Sequence, residues 1–235
     1  MSAPTPNVRR RFTVALAIAP IIALGACSTG GQRLTRSGFI SDYSQMKPTK
    51  AHKKDAIYVA ADYAAPAYTK VIVEPVEWYA PDRPQKTRER LQADFHDRLV
   101  RHMGTKYQVI DADQAGPGVL RVRSAITGTR PARWYLNVPA QAAQLALGGF
   151  GLIRPSSGGA SEEMQVQDAV TGQPLVQVAT FRNGEPWHVS GSYVPYDHAR
   201  GAFTDASQLL AEVVANPDPS RLPGKTSTEV AAASR

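Results

Sequence analysis

The chain has 235 residues, 43% of them hydrophobic, 20% charged and 8% aromatic, and it carries a formal net charge of +7. That is enough apolar mass to bury one core, which excludes a collagen-like or wholly disordered chain. Cys27 is the only cysteine, so an intramolecular disulfide and a four-cysteine zinc site are both excluded.

The first element is an export signal. Arg9, Arg10 and Arg11 precede an uncharged, mostly apolar run from Phe12 to Leu24, and then come Gly25, Ala26 and Cys27. Positive charge, a short apolar run and small residues at a cut make a secretory signal. The run is too short for a comfortable membrane span. A cysteine directly after Leu-Gly-Ala looks like a bacterial lipobox. In that class residues 1–26 are removed and Cys27 becomes the acylated first residue of the mature chain. Arg9-Arg10 before Phe12 also resembles a twin-arginine signal, but no Ser or Thr stands before the arginines, which favours Sec export. Ser28, not Asp, follows the cysteine, and by enterobacterial sorting this favours the outer membrane, with the domain facing the periplasm. Removal of residues 1–26 takes away three arginines and no acid, so the net charge falls from +7 to +4. The basicity expected of a nucleic-acid binder is thereby weakened, and no nucleic-acid partner is expected.

Residues 27–56 read as a lipidated tether, polar and rich in Gly, Ser, Thr and Lys. Within it, residues 37–48 carry Phe39, Ile40, Tyr43 and Met46, apolar groups in a solvated setting. They predict a segment that docks on the following domain; a peptide-like partner element is the other reading. The domain itself is expected over residues 57–216. Tyr68 to Trp78, with Val71, Ile72 and Val73 adjacent, predicts a strand buried on both sides, limited by Pro75. Leu91, Phe95, Leu99 and Met103 recur every four residues and predict a helix over 85–103, stopped at Gly104. A short strand is expected at Tyr107 to Ile110, then a turn at Gly116-Pro117-Gly118. Leu120, Val122, Ser124 and Ile126 alternate with Arg121, Arg123, Ala125 and Thr127, a half-exposed strand with an arginine-bearing face.

Residues 134–153 hold no charge, but Asn137, Pro139, Gln141, Gln144 and several glycines argue for a short helix near Pro139 and a glycine-rich loop through Gly159. Glu162 to Val170 and Pro174 to Phe181 flank Thr171-Gly172-Gln173, a hairpin pattern. Asp197 is placed to cap a last helix with Ala202, Phe203, Ala206, Leu209, Leu210, Val213 and Val214 on its apolar stripe. Asn216-Pro217 stops that helix, and residues 217–235 read as a disordered tail. The expected fold is therefore α+β: a single mixed, mainly antiparallel sheet of about five strands, with two longer helices packed on one face.

The lipobox, Ser37-Gly38-Phe39-Ile40-Ser41-Asp42-Tyr43-Ser44-Gln45-Met46-Lys47-Pro48, the Tyr68 to Val76 strand, Arg121 to Thr127 and Asp168 to Leu175 together resemble a family of bacterial lipoproteins catalogued as domain of unknown function 3313. The likeness covers about Cys27 to Asn216, and the S-G-F-x-x-D-Y segment is its most specific part. Ile40 and Met46 stand where leucine is commoner. The resemblance implies a small envelope lipoprotein domain and transfers no catalytic residue.

The chain offers no catalytic set that would make it an enzyme. None of its five histidines forms H-E-x-x-H or H-x-x-x-H, so neither a metal nor another cofactor is expected. Ser190-Gly191-Ser192 lacks a nucleophile elbow. Glu162 and Glu163 are adjacent on a strand, face opposite sides and suit neither glycoside hydrolysis nor metal binding. What stands out is a surface: Arg121, Arg123, Arg130 and Arg133 lead into Trp134 and Tyr135, a recognition composition. The expected role is non-enzymatic binding of another envelope component, a protein, lipid or glycan, by a membrane-anchored lipoprotein. The alternative is a binder of a small anionic or amphiphilic ligand under a 134–159 loop.

Overall fold

The computed structural model describes residue 34 and residues 36–48, 55–132, 158–183 and 194–217. Three long strands, each with inward apolar residues at alternate positions, form the middle of one sheet. They are β6 (Val119–Arg130), β7 (Gly159–Asp168) and β8 (Pro174–Asn183). The β7–β8 hairpin forms where the alternation predicts it. Gly172 takes the left-handed backbone (φ 71°) that its turn requires. Asp168 steadies the turn by accepting from the Val170 and Thr171 amides. Those amide bonds hold its carboxyl below the usual range against the opposing effect of partial burial.

On the other side of β6 lies the predicted Tyr68–Trp78 strand, split in two. Pro75 interrupts it, leaving β3 (Lys70–Val73) and β4 (Glu77–Trp78), and both run parallel to β6. The helix α1 (Gln85–Met103) follows, then β5 (Gln108–Val109), which pairs parallel with β3 at one edge. At the other edge lie β2 (Asp55–Val59) and β1 (Lys47–Pro48), antiparallel to β8 and to each other. The sheet order is β1-β2-β8-β7-β6-β3-β5, with β4 also beside β6. The long pairings are antiparallel and the sheet is open, as the α+β reading expects.

Both helices, α1 and α2 (Asp197–Ala215), cover the same face. Leu91, Phe95, Leu99 and Met103 of α1 are all buried there. Phe95 stacks on Phe203 of α2 with ring centroids 4.9 Å apart. Met164, Val166, Val176 and Val178 complete this core from the sheet.

The 37–48 segment docks on the sheet, as expected, and β1 and β2 extend the sheet beyond it, so that eight short and long strands lie among the described residues where about five were expected. One expectation needs correction. Asp197 is not the cap of α2: Tyr196, with φ 67°, takes that position and Asp197 lies in the first turn. The segment from residue 133 to 157, with the predicted short helix and loop, lies outside the described residues, as do the signal, Cys27 and the tail.

Candidate functional site

The sheet face away from the helices carries the chain's most specific motif. One row across this outer face reads Ala56, Ala179, Glu163 and Ala125, from β2, β8, β7 and β6. The three alanines leave a trough where larger side chains would stand. Phe39, Ile40 and Met46 fill it and form a second, smaller core with those alanines.

Glu163 is the polar group in the row, only 1% exposed. Its Oε1 accepts from the Ser37 backbone N–H (3.1 Å). Its Oε2 accepts from the Ser37 hydroxyl (2.9 Å), the Tyr43 hydroxyl (2.6 Å) and the Ile40 N–H (3.4 Å). A buried carboxylate with several donors is compensated for its lost hydration, and each charge-assisted bond contributes about 1.5–3 kcal/mol. Burial, and next the Glu163 carboxylate, push the Tyr43 hydroxyl's pKa up. Gly38, with φ 90°, turns the chain so that its N–H donates to the Tyr43 oxygen (3.1 Å). Phe39 meets Tyr79 edge-on at 5.7 Å, and the Arg123 guanidinium lies 5.2 Å from the Phe39 ring. Each of Ser37, Gly38, Phe39 and Tyr43 thus has a physical task in a clasp that pins the N-terminal segment to the sheet.

The alternation of β6 places Arg121 and Arg123 together beside this clasp, as predicted. Arg121 pairs with Glu74 at 2.7 Å, and Arg123 with Glu77 at 2.7 Å and Glu74 at 3.7 Å. Their charges are balanced by carboxylates following or within the neighbouring parallel strands. Arg130 lies at the far end of β6, where it donates to Asn183 (3.2 Å) and burial lowers its pKa. Arg133, Trp134 and Cys27 lie outside the described residues.

Sequence reasoning missed two features. One is a polar cluster on the helix side: Asp55 accepts from Thr180 at 2.5 Å and from both Arg182 terminal nitrogens at 2.5 and 3.1 Å. Glu162 stands beside it, 0% exposed, and neither of its oxygens has a hydrogen-bond partner among the described residues. Burial pushes its pKa well above the ordinary carboxylate value; Arg182 opposes this, while Asp205 and Asp55 add to it. The other feature is a cleft of about 220 Å³ next to the clasp. Ser41, Asp42 and Gln45 of the clasp segment and Tyr58, Pro174 and Gln177 of β2 and β8 line it, with Gln173 beside them. The only signal for it on β2 and β8 was the outward pair Tyr58 and Gln177, which reads equally as a solvated surface.

Among the described residues no His, Cys, Asp and Glu side chains gather to hold a metal, and no helix is long and apolar enough to cross a membrane.

Several solved structures are similar to parts of this chain. The PelC dodecamer from Paraburkholderia phytofirmans matches with a TM-score of 0.39 at 9% identity, over 66% of this chain and 96% of that one. The hypothetical protein CT253 from Chlamydia trachomatis matches at 0.36 and 14% identity, over 63% and 98%. Lipoprotein GNA1162 from Neisseria meningitidis matches at 0.31 and 11%, over 63% and 99%. No curated protein matches the chain in sequence. A family model, in contrast, aligns with residues 35–210, from the clasp through most of α2, and the chain therefore belongs to the family described as protein of unknown function (DUF3313).

Proposed function

We propose that the chain is a lipoprotein of the bacterial envelope, acylated at Cys27, whose domain binds another envelope component without catalysing a reaction. The observation that carries this reading is the clasp. It begins at Ser37, so only residues 28–36 separate the acylated cysteine from the docked segment. Fully extended, such a stretch spans no more than about 35 Å. An anchor at Cys27 would therefore keep the docked segment within that distance of the membrane. Ser28 after the cysteine favours the outer membrane, with the domain in the periplasm. The outer face beside the clasp, with Arg121 and Arg123 and continuing toward Arg130, Arg133 and Trp134, is where we place the partner.

The test is chemical. Intact-mass analysis of the membrane-extracted protein should show a chain that starts at Cys27 and carries two or three acyl groups. Cys27→Ser should leave the protein unacylated and the signal uncut. A mature chain that retains residues 1–26 without modification overturns the reading.

A further inference from the structure

The inner face of β7 buries one acid in an otherwise apolar setting. Glu162 is 0% exposed, and neither of its oxygens has a hydrogen-bond partner among the described residues. Its row across the sheet holds Ile126 of β6, Thr180 of β8 and Asp55 of β2. The donors in that row are committed elsewhere: the Thr180 hydroxyl and both Arg182 terminal nitrogens donate to Asp55. Helix α2 packs over β7 and β8, with Ala202 and Ala206 buried in the core and Asp205 3.8 Å from the Arg182 Nε. The first half of α2 is locally weak. It starts at Tyr196, a non-glycine residue held in the left-handed region at φ 67°, and no side-chain hydrogen bond caps it. Gly201 occupies its second turn, where only proline would weaken a helix more. Towards α1 it is held by Arg200, half-exposed and 3.4 Å from Asp94, and by Thr204, which accepts from Arg98.

We propose that Glu162 and the first half of α2 form a pH-sensitive latch: the helix stays seated while the carboxyl keeps its proton, and loss of the proton favours lifting of residues 197–206 from β7 and β8. A neutral carboxyl tolerates a dry site. A carboxylate there has neither water nor a donor, and it gains both when the helix half lifts. The groups around Glu162 agree in direction. Burial holds its pKa well above the ordinary value; Arg182 of β8 opposes this, and Asp205 of α2 and Asp55 of β2 add to it. β6 opposes Glu162 with Ile126, and α1 directs Asp94 and Arg98 to Arg200 and Thr204. His198, buried at the start of α2, titrates as well. The sign follows from linkage. The closed form holds the proton more tightly than the open one, so the latch is fully set below about 4.3, the value of an exposed glutamate. It loosens as the pH rises from there to the folded value, with opening increasing by at most about ten-fold per pH unit. The latch does not depend on the anchor proposed above.

The experiment is native-state hydrogen exchange of the full chain, extracted in detergent and read amide by amide between pH 5 and 8, with and without dilute urea. Rates are corrected for the intrinsic pH dependence of exchange. Protection of the amides of residues 198–206 should fall by about ten-fold or more across this range, through an opening that dilute urea does not promote. Glu162→Gln, which is neutral at every pH, should abolish that fall; any dependence due to His198 survives in this variant, so the two groups are separated. Gly201→Ala adds a methyl group that meets nothing within 4 Å. It should raise protection of the same amides several-fold at every pH and keep the fall with pH. Four results would each overturn the latch: protection independent of pH in the wild-type chain, an equal fall in Glu162→Gln, no gain in Gly201→Ala, or exchange of these amides only through the urea-promoted unfolding of the whole domain.

Discussion

Glu162 and Glu163 are neighbours in sequence with opposite surroundings. Glu163 faces the clasp and receives four donors, so the contact it makes is testable by small changes. Tyr43→Phe removes a single hydroxyl at 2.6 Å from its carboxylate and should cost about 1.5–3 kcal/mol in a urea unfolding midpoint. Glu163→Ala, which strands several donors, should cost more than Tyr43→Phe. Glu162 faces the helices without a hydrogen-bond partner among the described residues, and its raised pKa means that the folded chain holds the proton more tightly than the unfolded one. Its contribution to stability is then complete below the unfolded value of about 4.3 and is lost as pH rises from there through the folded value, by at most about 1.4 kcal/mol per pH unit. Glu162→Gln keeps the neutral form at every pH. The stability of the variant relative to wild type should therefore rise between pH 4 and 8, and a difference that stays flat would show that the buried carboxyl does not titrate in that range.

At the scale of elements, the sequence was most readable where one period ran without interruption. The four-residue recurrence of Leu91, Phe95, Leu99 and Met103 identified α1 and its buried face together, because a helix presents those positions on one stripe. Phe95→Ala should cost about 3–5 kcal/mol, read by a thermal or chemical melt, since it removes a ring stacked on Phe203. The hairpin was equally plain. β2 was not, because Asp55–Val59 is five residues long and follows a polar stretch whose composition suggested a tether. Its place in the sheet depends on β8, more than a hundred residues away, and local pattern does not carry such pairings. The apolar residues of the clasp were legible, but Glu163 as their receptor was not, for the same reason. The arginine alternation was read correctly as a shared face, while the paired glutamates became visible only once β3 and β4 lay beside β6. Those ion pairs are roughly a third exposed and contribute no more than about 1 kcal/mol each. Arg121→Ala with Arg123→Ala should thus lower the melting temperature only slightly. The same double variant should lose the main in-cell crosslinked partner, and unchanged crosslinks would move the partner away from this face.

For the molecule as a whole, two unlike faces of one sheet divide the work. The helix side buries the large core and supplies most of the stability. The outer side is sealed by the segment that leads toward the proposed lipid anchor, so that on that reading attachment and fold share one stretch of chain. Ser37 and Glu163 are 126 residues apart. Contacts of such separation form late, after the loop between them has been closed by other structure. The N-terminal segment, made before the rest of the domain, is therefore the last to find its seat. Tyr43→Phe should accelerate unfolding in stopped-flow measurements and leave the folding rate nearly unchanged. A protein with its closing contact placed so remains incomplete until residue 163 has been made; delay in folding is built into the order of its residues, and it would suit the exported chain proposed above, which must cross a membrane before it becomes compact.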